Sequence, residues 1–119
     1  AAFWEELREQ RHAFFAGADD GAPLWRLGVP SVAARLDPSA PTLIEWGGAQ
    51  RWVRCAVGSH EARVAAASVG GHATLFRGGD RSVGVFQPLG PVLGRLHRDL
   101  KRAFDPHGVF NPGRLYVDF

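Results

Sequence analysis

The chain has 119 residues, 45% of them apolar and 22% charged, with a formal net charge of +2, the make-up of one globular domain with a single modest core. Thirteen of the fourteen basic residues are arginine, spread along the chain without a like-charge block, so there is no nucleic-acid footprint. The single cysteine excludes an internal disulfide, and neither a signal peptide nor an apolar run long enough to span a membrane is legible.

Residues 2–16 set Phe3, Trp4, Leu7, Phe14 and Phe15 among charges, a helical pattern that Gly17 ends. GADDGAP, 17–23, is a turn or loop. LWRLGV, 24–29, alternates and reads as a strand. TLIEW and QRWVRCAV are two more strands, and Gly47-Gly48-Ala49 between them makes a hairpin. In 58–71 Ser59 caps a helix, Ala62, Ala65, Ala66 and Val69 form its apolar stripe, and Gly70-Gly71 stop it. HATLF, 72–76, is a fourth strand, and DRSVGVFQPLGP is a loop or short strand. Residues 91–104 form the best helix, with Val92, Leu93, Leu96, Leu100 and Phe104 on one side.

The order α-β-β-β-α-β-α predicts an α+β fold: a mostly antiparallel four-stranded sheet with helices packed on one face. One parity of the strands, Trp25, Leu27, Val29, Ile44, Trp46, Val53, Cys55, Val57, Ala73 and Leu75, is the expected core. The other holds Arg26, Glu45, Trp52, Arg54, His72, Thr74 and Phe76. Aromatics among arginines suggest a face that meets a partner, although single exposed aromatics are common on any surface. Cys55, set among Val53, Ala56 and Val57, reads as a buried, inert thiol.

The last sixteen residues, FDPHGVFNPGRLYVDF, form an irregular Pro/Gly-rich tail. Pro106 and Pro112 forbid a helix, and the segment is too apolar for a disordered end. VFNPGR makes a turn with Gly113 at positive φ. The absence of methionine reads as a piece of a longer protein, or as a domain that has lost its initiator.

Self-contained chemistry is hard to find. HEARV at 60–64 begins like a zinc helix but has Val64 where the second histidine belongs. The five histidines share no ligand spacing, so no metal is expected. No G-x-S-x-G occurs, and the glycines of GGHATLFRGG flank a strand rather than open a helix, so neither a dinucleotide fingerprint nor a P-loop is present.

LKRAFDPHGVFNPGRLY resembles the C-terminal signature of FAD-linked oxidases of the vanillyl-alcohol oxidase superfamily, where a lysine-bearing helix runs into F-D-P-x-G-[IV]-x-N-P-G-[KR]. The matching residues are Lys101, Phe104, Asp105, Pro106, Gly108, Val109, Asn111, Pro112, Gly113 and Arg114. PTLIEWGGAQRWV, GGHATLFRGGDR and VFQPLGPVLGRLHRDLKRAFDP are similar, more narrowly, to the FAD-binding subunits of bacterial glycolate oxidases. FW-x-x-LREQ-x-H-x-FF and LWRLGVP fit the same group, so the resemblance runs from Phe3 to Tyr116.

The resemblance implies a parent flavoprotein subunit that serves the oxidation of glycolate to glyoxylate with FAD. Residues 1–103 would be its C-terminal cap or substrate domain, and 104–119 a tail that docks on an N-terminal flavin domain. The fragment alone would be inactive and lack FAD. Arg26, Arg54 and His72 are the candidates to face a small carboxylate, which arginine grips with a two-point fork. Asn111 and Arg114 are the candidates to lie near the cofactor; the catalytic residues stay unassigned. Related 2-hydroxy acid dehydrogenases carry paired metal-binding histidines, and this chain has no such pair. Substrate oxidation then falls to a larger sister flavoprotein if it needs that pair, with this subunit an electron carrier or structural partner. The other implied partner is an iron–sulfur subunit. The implied location is cytoplasmic, peripheral at the inner face of the membrane through partner subunits. The alternative on residues alone is an independent α+β module that binds a ligand or a protein.

Overall fold

The structure, a computed structural model, describes residues 2–16 and 21–119. The expected helix stop at Gly17 and the first part of the 17–23 loop lie outside the described residues. The chain divides into two compact units, Ala1–Val85 and Phe86–Phe119.

The first unit holds α1 (Ala2–Arg8), α2 (Ala13–Ala16), β1 (Leu24–Gly28), β2 (Thr42–Glu45), β3 (Gln50–Arg54), α3 (Ser59–Ser68) and β4 (His72–Arg77). The strands form one sheet in the order β2-β3-β1-β4, and every neighbouring pair is antiparallel. This is the expected α+β class. Trp25 lies opposite Val53 on one side and Leu75 on the other, and Leu27 opposite Ala73. These five share one face and pack with Ala62 and Ala66 of α3. Alanines on α3 let the helix approach the sheet closely, which leaves room for the Trp25 indole, 1% exposed.

Part of the second face is covered too, around Leu24 and Trp52, where the sequence placed helices on one face. Phe15 of α2 packs on Leu24 and Trp52, and meets the Trp52 ring edge-on at 5.4 Å. Phe76 meets the same indole at 4.8 Å, and Trp52 Nε1 donates to Glu45 Oε2 at 2.6 Å. Trp52 is therefore packed within its own unit and does not meet a partner. The 2–16 pattern is two helices rather than one. Gln10 adopts φ 55, and Arg77 Nη2 donates to its Oε1 at 2.6 Å. His12 Nδ1 then accepts from the Phe14 N–H at 3.2 Å, where the second helix starts.

Two other expectations change. Ile44, Trp46 and Val57 are exposed rather than core; Trp46 sits in the hairpin turn at φ 53 and is 81% exposed. Gly48 in that turn has φ 98 and no room for a side chain, since a Cβ would meet Ser31 O at 2.7 Å. The N-cap of α3 is Gly58, with no side-chain cap, so Ser59 is its first helical residue. The expected stop holds: Gly71 N–H reaches Ala66 O at 2.9 Å and Gly70 N–H reaches Ala67 O at 2.9 Å, the paired closure of a glycine-ended helix.

Two buried arginines staple loops to this framework. Arg51 donates through Nε to Gly48 O at 3.0 Å, through Nη1 to Ala34 O at 2.8 Å and through Nη2 to Ala33 O at 2.6 Å. Arg63 Nη2 donates to Gly84 O at 2.6 Å. A guanidinium supplies several donors at fixed angles, so one side chain holds several loop carbonyls at once.

The second unit is α4 (Pro91–Phe104) and the tail. Its bounds match the periodicity, with Pro91 at the first turn where its missing N–H costs nothing. Leu93, Leu96, Leu100 and Phe104 are 53–80% exposed. That is an amphipathic helix with its apolar stripe open.

Candidate functional site

The sheet face that carries Trp52 also carries the three expected carboxylate-binding residues. Arg26 lies between Trp52 and Thr74 in the register, Arg54 opposite Leu24, and His72 opposite Gly28. Steps of two residues keep a strand on one face, so Arg54, Arg26 and His72 lie on a diagonal across it. Arg26 and Arg54 are half-buried and His72 is exposed. The imidazole of His72 lies over Gly28: a Cβ at residue 28 would come within 2.5 Å of its ring. The diagonal is a shallow cationic strip beside the aromatic packing of Trp52.

The second place is the tail. Asp105 follows the last residue of α4, and only 6% of it is exposed. Its Oδ1 accepts the Val109 N–H at 2.9 Å and its Oδ2 the Phe110 N–H at 2.9 Å. Oδ2 also accepts from Lys101 Nζ, which donates in addition to the Phe110 carbonyl. The hydrogen bond from Lys101 and those from the Phe110 and Val109 amides hold the Asp105 carboxyl down at about 2, against an ordinary 3.8. Beyond it the chain turns as expected. Asn111 has φ 47, Gly113 has φ 68, and Arg114 N–H reaches Asn111 O at 3.2 Å. Proline then glycine at the centre of such a turn is the type II pattern. The end is tied back as well: Gly113 N–H donates to Phe119 O at 3.0 Å, and Tyr116 Oη to Gln87 O at 2.8 Å. A groove of about 350 Å³ runs along this unit, with Lys101, Phe104, Phe110, Asn111 and Arg114 in its walls.

A pH test follows from Asp105. Its folded pKa lies below the unfolded value, so its contribution is full above about pH 4 and is lost as pH falls through about 2. The amide resonances of Val109 and Phe110 are expected to titrate together near pH 2 in NMR spectra, and Asp105→Asn to remove that step. Titration near pH 4 would contradict the latch.

Cys55 is half-buried beside a cavity of about 130 Å³ between the sheet and α3, and burial pushes its thiol pKa up. That keeps it protonated and a poor nucleophile, in line with the inert reading. Among the described residues no group of three or more His, Cys, Asp or Glu is placed to hold a metal ion. No helix among them is long and apolar enough to cross a membrane.

Asn111 and Arg114 supply hydrogen-bond donors, and Phe104 and Phe110 supply flat apolar surface. That donor set suits the edge of a planar, oxygen-rich or anionic group. It is one wall: among the described residues no glycine-rich turn leads from a strand into a helix to cradle a diphosphate.

Residues 85–115 match the family described as FAD linked oxidases, C-terminal domain. The matched residues include α4, the Lys101–Asp105 pair and the turn at Asn111–Arg114. Over 116 residues, 98% of the chain, it is 44% identical to the glycolate oxidase subunit GlcE of Escherichia coli (strain K12). The chain spans 31% of that relative's length. No solved structure matches. The resemblance seen in the sequence thus holds across both units. The sequence reading quoted Lys101 and Asp105 as part of a motif and gave them no task. The available signal was a lysine four residues before an aspartate at a helix end, followed by proline and glycine.

Proposed function

We propose that this chain is the C-terminal part of a flavoprotein subunit of a glycolate oxidase, an enzyme that oxidises glycolate to glyoxylate with FAD. The observation that carries this is the 44% identity to a glycolate oxidase subunit across 98% of the chain. Residues 1–103 act as the cap or substrate domain, and 104–119 as a tail that docks on the flavin domain of the parent. The open apolar stripe of α4 supports docking, because an apolar helix face of this size is normally covered. FAD supplies the two-electron oxidation, and the protein supplies position and charge. Arg26 and Arg54 attract and orient the substrate carboxylate, with His72 beside them. Asn111 and Arg114 approach the cofactor. A sister flavoprotein and an iron–sulfur subunit complete the assembly. The location is cytoplasmic, peripheral at the inner face of the membrane through those subunits.

The test uses the full-length flavoprotein with its sister subunits. Arg26→Ala is expected to leave FAD content unchanged and raise the KM for glycolate about tenfold, the loss of one charge-assisted bond. Asn111→Ala is expected to lower FAD content. A parent that purifies without flavin, or that reduces dye equally well with and without glycolate, would show that the reading is wrong.

A further inference from the structure

We infer that Lys101 and Asp105 are positioning residues that fix the place of Asn111 and Arg114 relative to α4, and so set how the tail meets the cofactor. The inference rests on the reading above that those two residues approach FAD.

A carboxylate at the C-terminal end of a helix sits against the negative pole of the helix dipole, an unfavourable place for it. Asp105 is there, buried, and its oxygens are spent on the loop that follows: the amides of Val109 and Phe110, with Lys101 as counter-ion. Lys101 takes the Phe110 carbonyl as well. Both backbone groups of Phe110 are therefore committed. The next residue is Asn111 at φ 47, followed by Pro112, whose ring fixes φ, and by the Arg114 N–H to Asn111 O bond. Asn111 is thus held between a pinned residue and a rigid one.

Apolar packing does not do this work. The side chains of Val109 and Phe110 are about two-thirds exposed, at 67% and 66%. The loop is placed by the polar latch, and the latch crosses from the last turn of α4 to the residue before Asn111. Lys101 and Asp105 touch no reacting group; they act through Asn111 and Arg114.

The experiment is a double-mutant cycle in the full-length flavoprotein, read by the FAD dissociation constant and the visible absorption band of the bound flavin. Asp105→Asn keeps the shape and removes the charge, and Lys101→Gln removes the other partner. Each is expected to weaken FAD binding about tenfold, the loss of one charge-assisted hydrogen bond, and to shift the flavin band. In an Asn111→Ala/Arg114→Ala background Asp105→Asn is expected to add little, because the latch acts through those two residues. Arg98→Ala, which breaks the exposed Arg98–Asp118 pair of the same unit, serves as the control with unchanged flavin. If Asn111→Ala perturbs FAD but neither latch variant does, the latch has no positioning role and the functional reading stands. If Asn111→Ala leaves FAD untouched, both fall. If the effect of Asp105→Asn is undiminished in the Asn111→Ala/Arg114→Ala background, Asp105 acts through general stability and the inference is overturned. Should Asp105→Asn fail to fold, Lys101→Gln, changed on the partly exposed side of the pair, decides by the same criteria.

Discussion

Arg51→Met is expected to destabilise the chain by about 3 kcal/mol and lower its Tm by roughly 15 °C. The methionine fills the space of the arginine stem. It leaves the carbonyls of Ala33, Ala34 and Gly48 without their donor in a place where the arginine was 4% exposed. Arg51→Lys keeps a charge but not the fork, so it should fall between the two, with one bond remade at most. Urea unfolding followed by tryptophan fluorescence measures both, since all four tryptophans lie in the first unit. A loss below about 1 kcal/mol for Arg51→Met would mean that water satisfies those carbonyls and that the loop needs no staple.

The second large effect separates the chain from its parent. Leu96→Glu combined with Leu100→Glu should change the stability of the chain itself by no more than about 0.5 kcal/mol, because both side chains are more than half exposed. In the full-length flavoprotein the same pair is expected to cost about 4 kcal/mol of docking, two leucine side chains returned to water, before any penalty for burying charge. The readout is FAD per polypeptide after gel filtration, which should fall at least tenfold. Full flavin occupancy in the double variant would show that this face of α4 covers nothing in the parent.

Legibility followed the kind of signal. Helix α4 was legible to the residue, because its leucines keep the 3.6-residue period and Pro91 marks its start. The β2–β3 hairpin was legible from two alternating runs around Gly47-Gly48. The gap between α1 and α2 was not, because no glycine or proline marks it; the left-handed turn falls on Gln10 and is tied by Arg77, distant in sequence. The packing of Trp52 on the second sheet face was not legible for a related reason. Alternation sorts residues into two faces but does not say what lies over each, and Phe15, which covers Trp52, comes from a different element. Charge count also hid function. Arg51 and Arg63 looked like two of many scattered cations, and only tertiary contacts reveal them as loop staples. Of the candidate site, the face shared by Arg26, Arg54 and His72 followed from strand parity alone. The Asp105 latch did not, because its partners are backbone groups and every sequence supplies those.

Gly28 and His72 form a pair with an evolutionary signature of its own. The imidazole occupies the space in which any side chain at residue 28 would begin. A side chain at residue 28 would therefore require the ring of His72 to swing aside. In homologous chains a residue larger than glycine at position 28 should coincide with the loss or reorientation of the ring at position 72. Glycine there is expected in the lineages in which a histidine lies over residue 28. A comparison of related sequences read at these two columns would show whether that corner of the sheet is inherited as one unit.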